Sequence, residues 1–189
     1  MIEKYYPDLY CESIRHIDLK MIKNKGIQGF ILDIDNTLVA MHSKDADENA
    51  ISWIAELKKN GFKVCILSNA AKKRVIRFNE KIQVTAIHRA YKPAAKAFLR
   101  AAHEMGLEPE KVAVVGDQIF TDIHGGNKVN MFTILVKPID KKEILYVRLK
   151  REPEKFILRS FNRKLQNEID RRKEWKKSSL RKEKSKLKK

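Results

Sequence analysis

Cysteine is nearly absent from this chain, with two among 189 residues. Cys11 and Cys65 have no metal-ligand spacing, and Cys65 lies inside an apolar run, which excludes a disulfide framework and fits a reducing compartment. There is no apolar run of roughly 18 residues, and the opening MIEKYYPDLYCES lacks a basic region followed by an apolar one. The chain is therefore expected to be neither secreted nor membrane-spanning, which places it in the cytoplasm. The five histidines show no metal spacing, and there is no internal repeat. Acidic residues are the minority, 24 Asp+Glu against 41 Lys+Arg, for a formal charge of +17. Such an excess calls for an anionic partner, whether phosphorylated substrate, nucleic acid or anionic membrane surface.

The basic charge is concentrated in the tail. From Lys141 onward there are 20 Lys+Arg against 7 Asp+Glu, or +13, which leaves only +4 for residues 1–140. The length suits one domain with appendages, and 43% hydrophobic content supports a packed interior. Short apolar runs alternate with amphipathic segments. GFILDI leads to DENAISWIAELKKNG, with Asp47 as N-cap and Gly61 as stop, and then to FKVCILS, a βαβ unit. KKRVIRFNEK, VTAI and PAAKAFLRAAHEMG repeat the pattern, with Pro93 in the first turn of the third helix, and KVAVVG and FTILVKP complete the strands. The expectation is an α/β fold, a doubly wound, Rossmann-like parallel sheet of about five strands. Residues 1–28 read as an N-terminal arm with a helical ESIRHIDLKMIKNKG, 29–140 as the core, and 141–189 as a basic helical tail. The last fifteen or so residues have almost no apolar content and are expected to be disordered.

In such sheets ligands bind beyond the carboxyl ends of the strands. Asp33 and Asp35 end one strand, Ser68 and Asn69 another, and Gly116 and Asp117 a third. Singly, each has a bland reading: a cap, an ST-turn, or in the case of Lys92 a solvated lysine ahead of a proline. Together their demands are complementary. Attack of a carboxylate on a phosphate monoester joins two anions, so the site needs a divalent cation and a lysine. Mg²⁺ takes oxygen ligands and few protein carboxylates, which Asp33 and Asp117 could supply. Asp35 could shuttle the proton, Ser68 and Asn69 could donate to phosphate oxygens, and Lys92 could offset the remaining charge.

DIDNTL, LSNA, YKP and GDQIFTD, in that order, resemble the four motifs of the haloacid dehalogenase-like phosphohydrolases over about Gly29 to Pro138. The resemblance implies that Asp33 is the nucleophile and forms an aspartyl-phosphate, and that Asp35 is the general acid/base. It further implies that Ser68 binds and Lys92 stabilises the phosphoryl group, while Asp33, the backbone carbonyl of Asp35 and Asp117 hold Mg²⁺. Thr37 supports the first loop, and Asp122 orients the metal shell. With the lead-in PDLY and the closing TILVKPI, the chain resembles the YqeG family of subfamily IIIA, relatives of mitochondrial phosphatases acting on phosphatidylglycerophosphate.

Only 32 residues separate Asp35 from Ser68 and 23 separate Ser68 from Lys92, too few for a cap domain. A capless site suits a phosphate presented on something large. Ile157, Phe161, Leu165 and Ile169 recur every four residues among Lys and Arg, with Trp175 beyond. This helix could lie peripherally on the inner membrane face against anionic phospholipid, pack on the domain or a second copy, or bind nucleic acid as a ribosome-associated module would. Lys72, Lys73, Arg74 and Arg77 follow LSNA, either as a solvated helix face or as recruiters of an anionic headgroup. His88 and His124 are read as incidental.

Overall fold

The computed structural model describes residues 2–140 and 145–186, and in the last helix the side chains of 152–171 and 173. Six strands form one sheet: β1 (Leu9–Cys11), β2 (Gly29–Leu32), β3 (Lys63–Leu67), β4 (Thr85–Ile87), β5 (Val112–Gly116) and β6 (Phe132–Val136). Their order is β1-β6-β5-β2-β3-β4, and every pair is parallel. Five match the expected strands. The sixth comes from the N-terminal arm: Leu9–Cys11 adds to the edge at β6, Leu9 opposite Ile134. Three half-buried residues are too few to show a period of two, so this strand has no signature of its own. The rest of the arm is also more broken than a single helix. A short 3₁₀ turn at Ile14–His16 is followed by helix α1 (Leu19–Asn24), whose start is fixed by Asp18 accepting from the Met21 amide.

Strand alternation divides the core. Phe30, Leu32, Val64, Ile66, Ala113 and Val115 face a layer containing α1, α2 (Glu48–Lys59) and α3 (Lys72–Asn79), where Ile22, Trp53, Leu57 and Phe78 are buried. Ile31, Cys65, Leu67 and Val114 face the opposite way onto α4 (Ala95–Glu104), through Phe98, Ala101 and Ala102. Burying both faces is what makes these strands nearly continuous apolar runs, at about 1.5–3 kcal/mol for each large side chain removed from water. Asp47 caps α2, its carboxylate accepting from the Ala50 amide at 2.8 Å, and Gly61 follows the helix at φ +85°. Helix α4 starts at Ala95, two residues later than Pro93 suggested, because a loop bearing Lys92 intervenes.

After β5 comes a π-turn, Ile119–Ile123, which runs into the short α5 (His124–Asn127). The Gly pair there is a packing requirement. A Cβ at Gly125 would strike the Phe98 ring, and one at Gly126 would lie 2.7 Å from Thr133 Cγ2.

The basic tail forms one helix, α6 (Leu145–Lys186). Its first described turns lie on the core. Ile157 is buried with Ile119, Ile123 and Leu135, the Phe161 ring is 5.6 Å from that of Tyr6, and the Tyr6 and Ser160 hydroxyls are 2.6 Å apart. Beyond Phe161 the described side chains are exposed, Leu165 and Ile169 among them. The helix is described as far as Lys186. The Trp175 side chain lies outside the described residues. No described helix is long and apolar enough to cross a membrane.

Candidate active site

Strand order builds the site. β5, β2 and β3 are neighbours at the sheet centre, so the residues just past their carboxyl ends come together. From β2 the chain moves outward to β3 and β4, then returns to the other side of β2 as β5. That reversal makes the β2/β5 boundary the topological switch point of the sheet, where ligands bind in folds of this kind. Asp33 continues β2, its amide donating to Val115 O at 3.0 Å. Ser68 continues β3, its amide donating to Ile87 O at 3.0 Å. Asp117 follows β5 directly.

At the centre is an ammonium held by two carboxylates. Lys92 Nζ lies 2.6 Å from Asp33 Oδ1 and 2.6 Å from Asp122 Oδ1, and all three groups are buried. Carboxylate oxygens of Asp33, Asp117 and Asp122 lie within 4.8 Å of one another. Asp122 is further fixed through Oδ2, which accepts from the Gln118 amide and the Thr121 hydroxyl, each at 3.2 Å. Thr37 Oγ1 donates to Asp117 Oδ1 at 3.3 Å. Gly116 supports the cluster by its size, because a Cβ there would overlap the Asp122 carboxyl.

Burial dominates the electrostatics. It raises the Asp33 carboxyl to about 7, against the pull of Lys92 and with help from Asp122 and Asp35. For Lys92, burial opposes the charge, but Asp122 and Asp33 outweigh it and hold the ammonium above its ordinary value. One ammonium is shared between two buried carboxylates, and the Asp117 carboxylate lies beside them.

Asp35 stands apart from this cluster. Its Oδ1 accepts from Arg74 Nη2 at 2.9 Å, with about a quarter of the side chain exposed. Arg74 also donates to Lys44 O at 3.1 Å. The sequence read Arg74 either as solvated or as a recruiter, and its contact with Asp35 was not anticipated. Asn36 adopts φ +65°, which turns the chain sharply after Asp35, and its Nδ2 donates to Asp140 O.

Ser68 is buried, and its Oγ accepts from the Ala70 amide at 3.1 Å, which leaves the hydroxyl proton available to a ligand. Asn69 was expected beside the phosphate. Its side chain is engaged with the Lys92 backbone: Oδ1 accepts from Lys92 N at 2.7 Å, and Nδ2 donates to Lys92 O at 3.3 Å. This two-point clamp sets where the lysine starts. His124 stacks at 4.6 Å on Tyr5, and neither it nor His88 belongs to the cluster.

The haloacid dehalogenase-like hydrolase family model matches residues 41–130, a span that holds Ser68, Lys92, Asp117 and Asp122 and begins after Asp33 and Asp35. Over 165 residues the chain is 39% identical to the "Probable phosphatase YqeG" of Bacillus subtilis (strain 168), covering 87% of this chain and 96% of that one. It belongs to the haloacid dehalogenase-like hydrolases. It is a phosphatase of that family, with a phosphorylated substrate. It is also 30% identical to the chloroplastic/mitochondrial phosphatidylglycerophosphate phosphatase 1 of Arabidopsis thaliana, covering 87% of this chain and 50% of that one, so it spans half the length of the plant protein. The fold matches that of a HAD phosphatase from Thermococcus onnurineus, with TM-score 0.52 at 16% identity over 63% of this chain and 90% of that one.

Proposed function

We propose that this phosphatase is a Mg²⁺-dependent phosphomonoester hydrolase working through an aspartyl-phosphate on Asp33, and that it converts phosphatidylglycerophosphate to phosphatidylglycerol. The observation that carries the chemistry is the shared lysine, with Nζ 2.6 Å from both Asp33 and Asp122. Three buried carboxylates with oxygens within 4.8 Å of one another suit a hard, oxygen-preferring divalent cation. Asp33, Asp117 and the backbone carbonyl of Asp35 would hold it, and when bound it would offset charge on the phosphoryl oxygens. Asp122 anchors Lys92.

An Asp33 carboxylate oxygen attacks phosphorus, and the bond from phosphorus to the alcohol oxygen breaks as Asp35 passes a proton to the leaving alkoxide. Asp35 then takes a proton from the water that attacks the aspartyl-phosphate, which restores Asp33 and releases inorganic phosphate. Lys92 and the Ser68 hydroxyl hold phosphoryl oxygens throughout.

Arg74 Nη2 lies 2.9 Å from the carboxylate of the proposed acid, Asp35. A leaving group carrying its own anion could share that guanidinium. The phosphodiester of phosphatidylglycerophosphate is such a group. The lipid reading is further supported by similarity to the plant phosphatase and by the lack of a cap, since only α2 and β3 lie between Asp35 and Ser68 and only α3 and β4 between Ser68 and Lys92. It also fits the exposed basic stretch of α6, where Leu165 and Ile169 could enter the bilayer interface on the inner membrane face.

The test is Mg²⁺-dependent phosphate release from phosphatidylglycerophosphate in mixed micelles, beside soluble phosphate esters and a 5′-phosphorylated oligonucleotide, with Asp33→Asn as blank. Selective turnover of the lipid is expected. Turnover of soluble or polynucleotide esters alone would keep the chemistry and remove the lipid.

A further inference from the structure

Among the described residues five charged side chains are buried, and four of them, Asp33, Lys92, Asp117 and Asp122, form the site. The fifth is Glu154, from the tail helix. Its Oε1 accepts from the Ile119 amide at 2.8 Å and, more loosely, from the Phe120 amide at 3.5 Å. The preceding amide, Gln118 N, is taken by Asp122 Oδ2. Three successive amides of the turn joining Asp117 to Asp122 are thus held by two carboxylates, one from the site and one from α6. The helix also packs on the core through Ile157 against Ile119 and Ile123, with Tyr6 against Phe161. Burying a carboxylate as well is costly unless it is well bonded, and this one is directed at the segment that sets the spacing of two site acids.

We infer that Glu154 is a positioning residue for the loop carrying Asp117 and Asp122, so that docking of α6 and assembly of the metal-binding cluster are one coupled equilibrium. This rests on the metal-dependent reading above. Glu154 touches no substrate. It holds the turn in the conformation that brings Asp117 and Asp122 within reach of Asp33 and Lys92. Coupling of this kind is reciprocal: if the docked helix favours cation binding, the cation favours the docked helix by the same factor.

The test uses the full chain and Mg²⁺ alone as probe. Hydrogen exchange of the wild type is followed at 117–123 and at 152–161 with and without saturating Mg²⁺, and Mg²⁺ affinity is measured by calorimetry for Glu154→Ala and Glu154→Gln. The expected result is slowing in both segments by at least fivefold. Glu154→Ala is expected to bind Mg²⁺ at least tenfold more weakly. Glu154→Gln, whose amide oxygen still accepts from both N–H groups, should stay within about threefold of wild type. Should Glu154→Ala fail to fold, the wild-type exchange data decide. Slowing confined to 117–123, or wild-type affinity in Glu154→Ala, overturns the coupling and leaves the metal reading standing. Slowing in neither segment overturns the metal reading, and the inference falls with it.

Discussion

Asp33→Asn should abolish turnover and yet stabilise the cation-free protein at neutral and alkaline pH. Burial lifts the Asp33 carboxyl from 3.8 to about 7. Between those values the folded chain keeps a proton that the unfolded chain has released, so stability falls as pH rises through the window. At about 1.4 kcal/mol per pH unit, ionised Asp33 costs on the order of 4 kcal/mol above pH 7, as an upper bound. Asparagine fills nearly the same volume without that charge, and Lys92 keeps Asp122 as its partner. In a chain of this length 1 kcal/mol moves the melting temperature by about 2–4 °C, so the variant should melt up to roughly 8–16 °C higher at pH 8 in EDTA. Near pH 4 the two proteins should melt together. Cations bind the deprotonated carboxylates, so Mg²⁺ should raise the wild-type melting temperature more at pH 8 than at pH 5, and that of Asp33→Asn less at both. The assay is thermal denaturation followed by circular dichroism across pH 4–8, with EDTA or Mg²⁺. A variant less stable than wild type at pH 8 in EDTA would refute the reasoning, because it would mean that Lys92 more than offsets the burial of ionised Asp33.

Asp35→Asn should slow an alkyl phosphate by about 10²–10⁴-fold, the usual worth of a positioned acid, and slow p-nitrophenyl phosphate much less, because that leaving group needs no proton. Equal losses in steady-state kcat on the two esters would assign Asp35 a structural role. Gly116→Ala places a methyl group where the Asp122 carboxyl sits. It should cost about 1–3 kcal/mol in urea unfolding and weaken Mg²⁺ binding in calorimetry, and wild-type affinity would show that Asp122 can move without consequence.

Most of the sheet and the convergence of its polar ends could be read from the chain, because Asp33 and Asp117 each follow an apolar run that has no other reason to stop. GFIL ends at Asp33 and VAVVG at Asp117, and a parallel topology places such ends side by side. What stayed hidden depends on distance and direction. Spacing places Asn69 near the phosphate loop but cannot tell that its amide turns to the Lys92 backbone, a contact 23 residues away. Nor does a basic run after LSNA show that one of its four cations, Arg74, turns back to Asp35. The tail carried a signal that net charge obscured. Glu154 lies three residues before Ile157 and seven before Phe161, so it falls on the same helical stripe as two of the apolar residues that meet the core. A carboxylate on the buried stripe of an otherwise basic helix is costly unless it finds donors, and the amides of the turn between Asp117 and Asp122 supply two. Read by face instead of by sum, the tail divides into a docking turn directed at the site and, beyond Phe161, a basic stretch left open to an anionic surface.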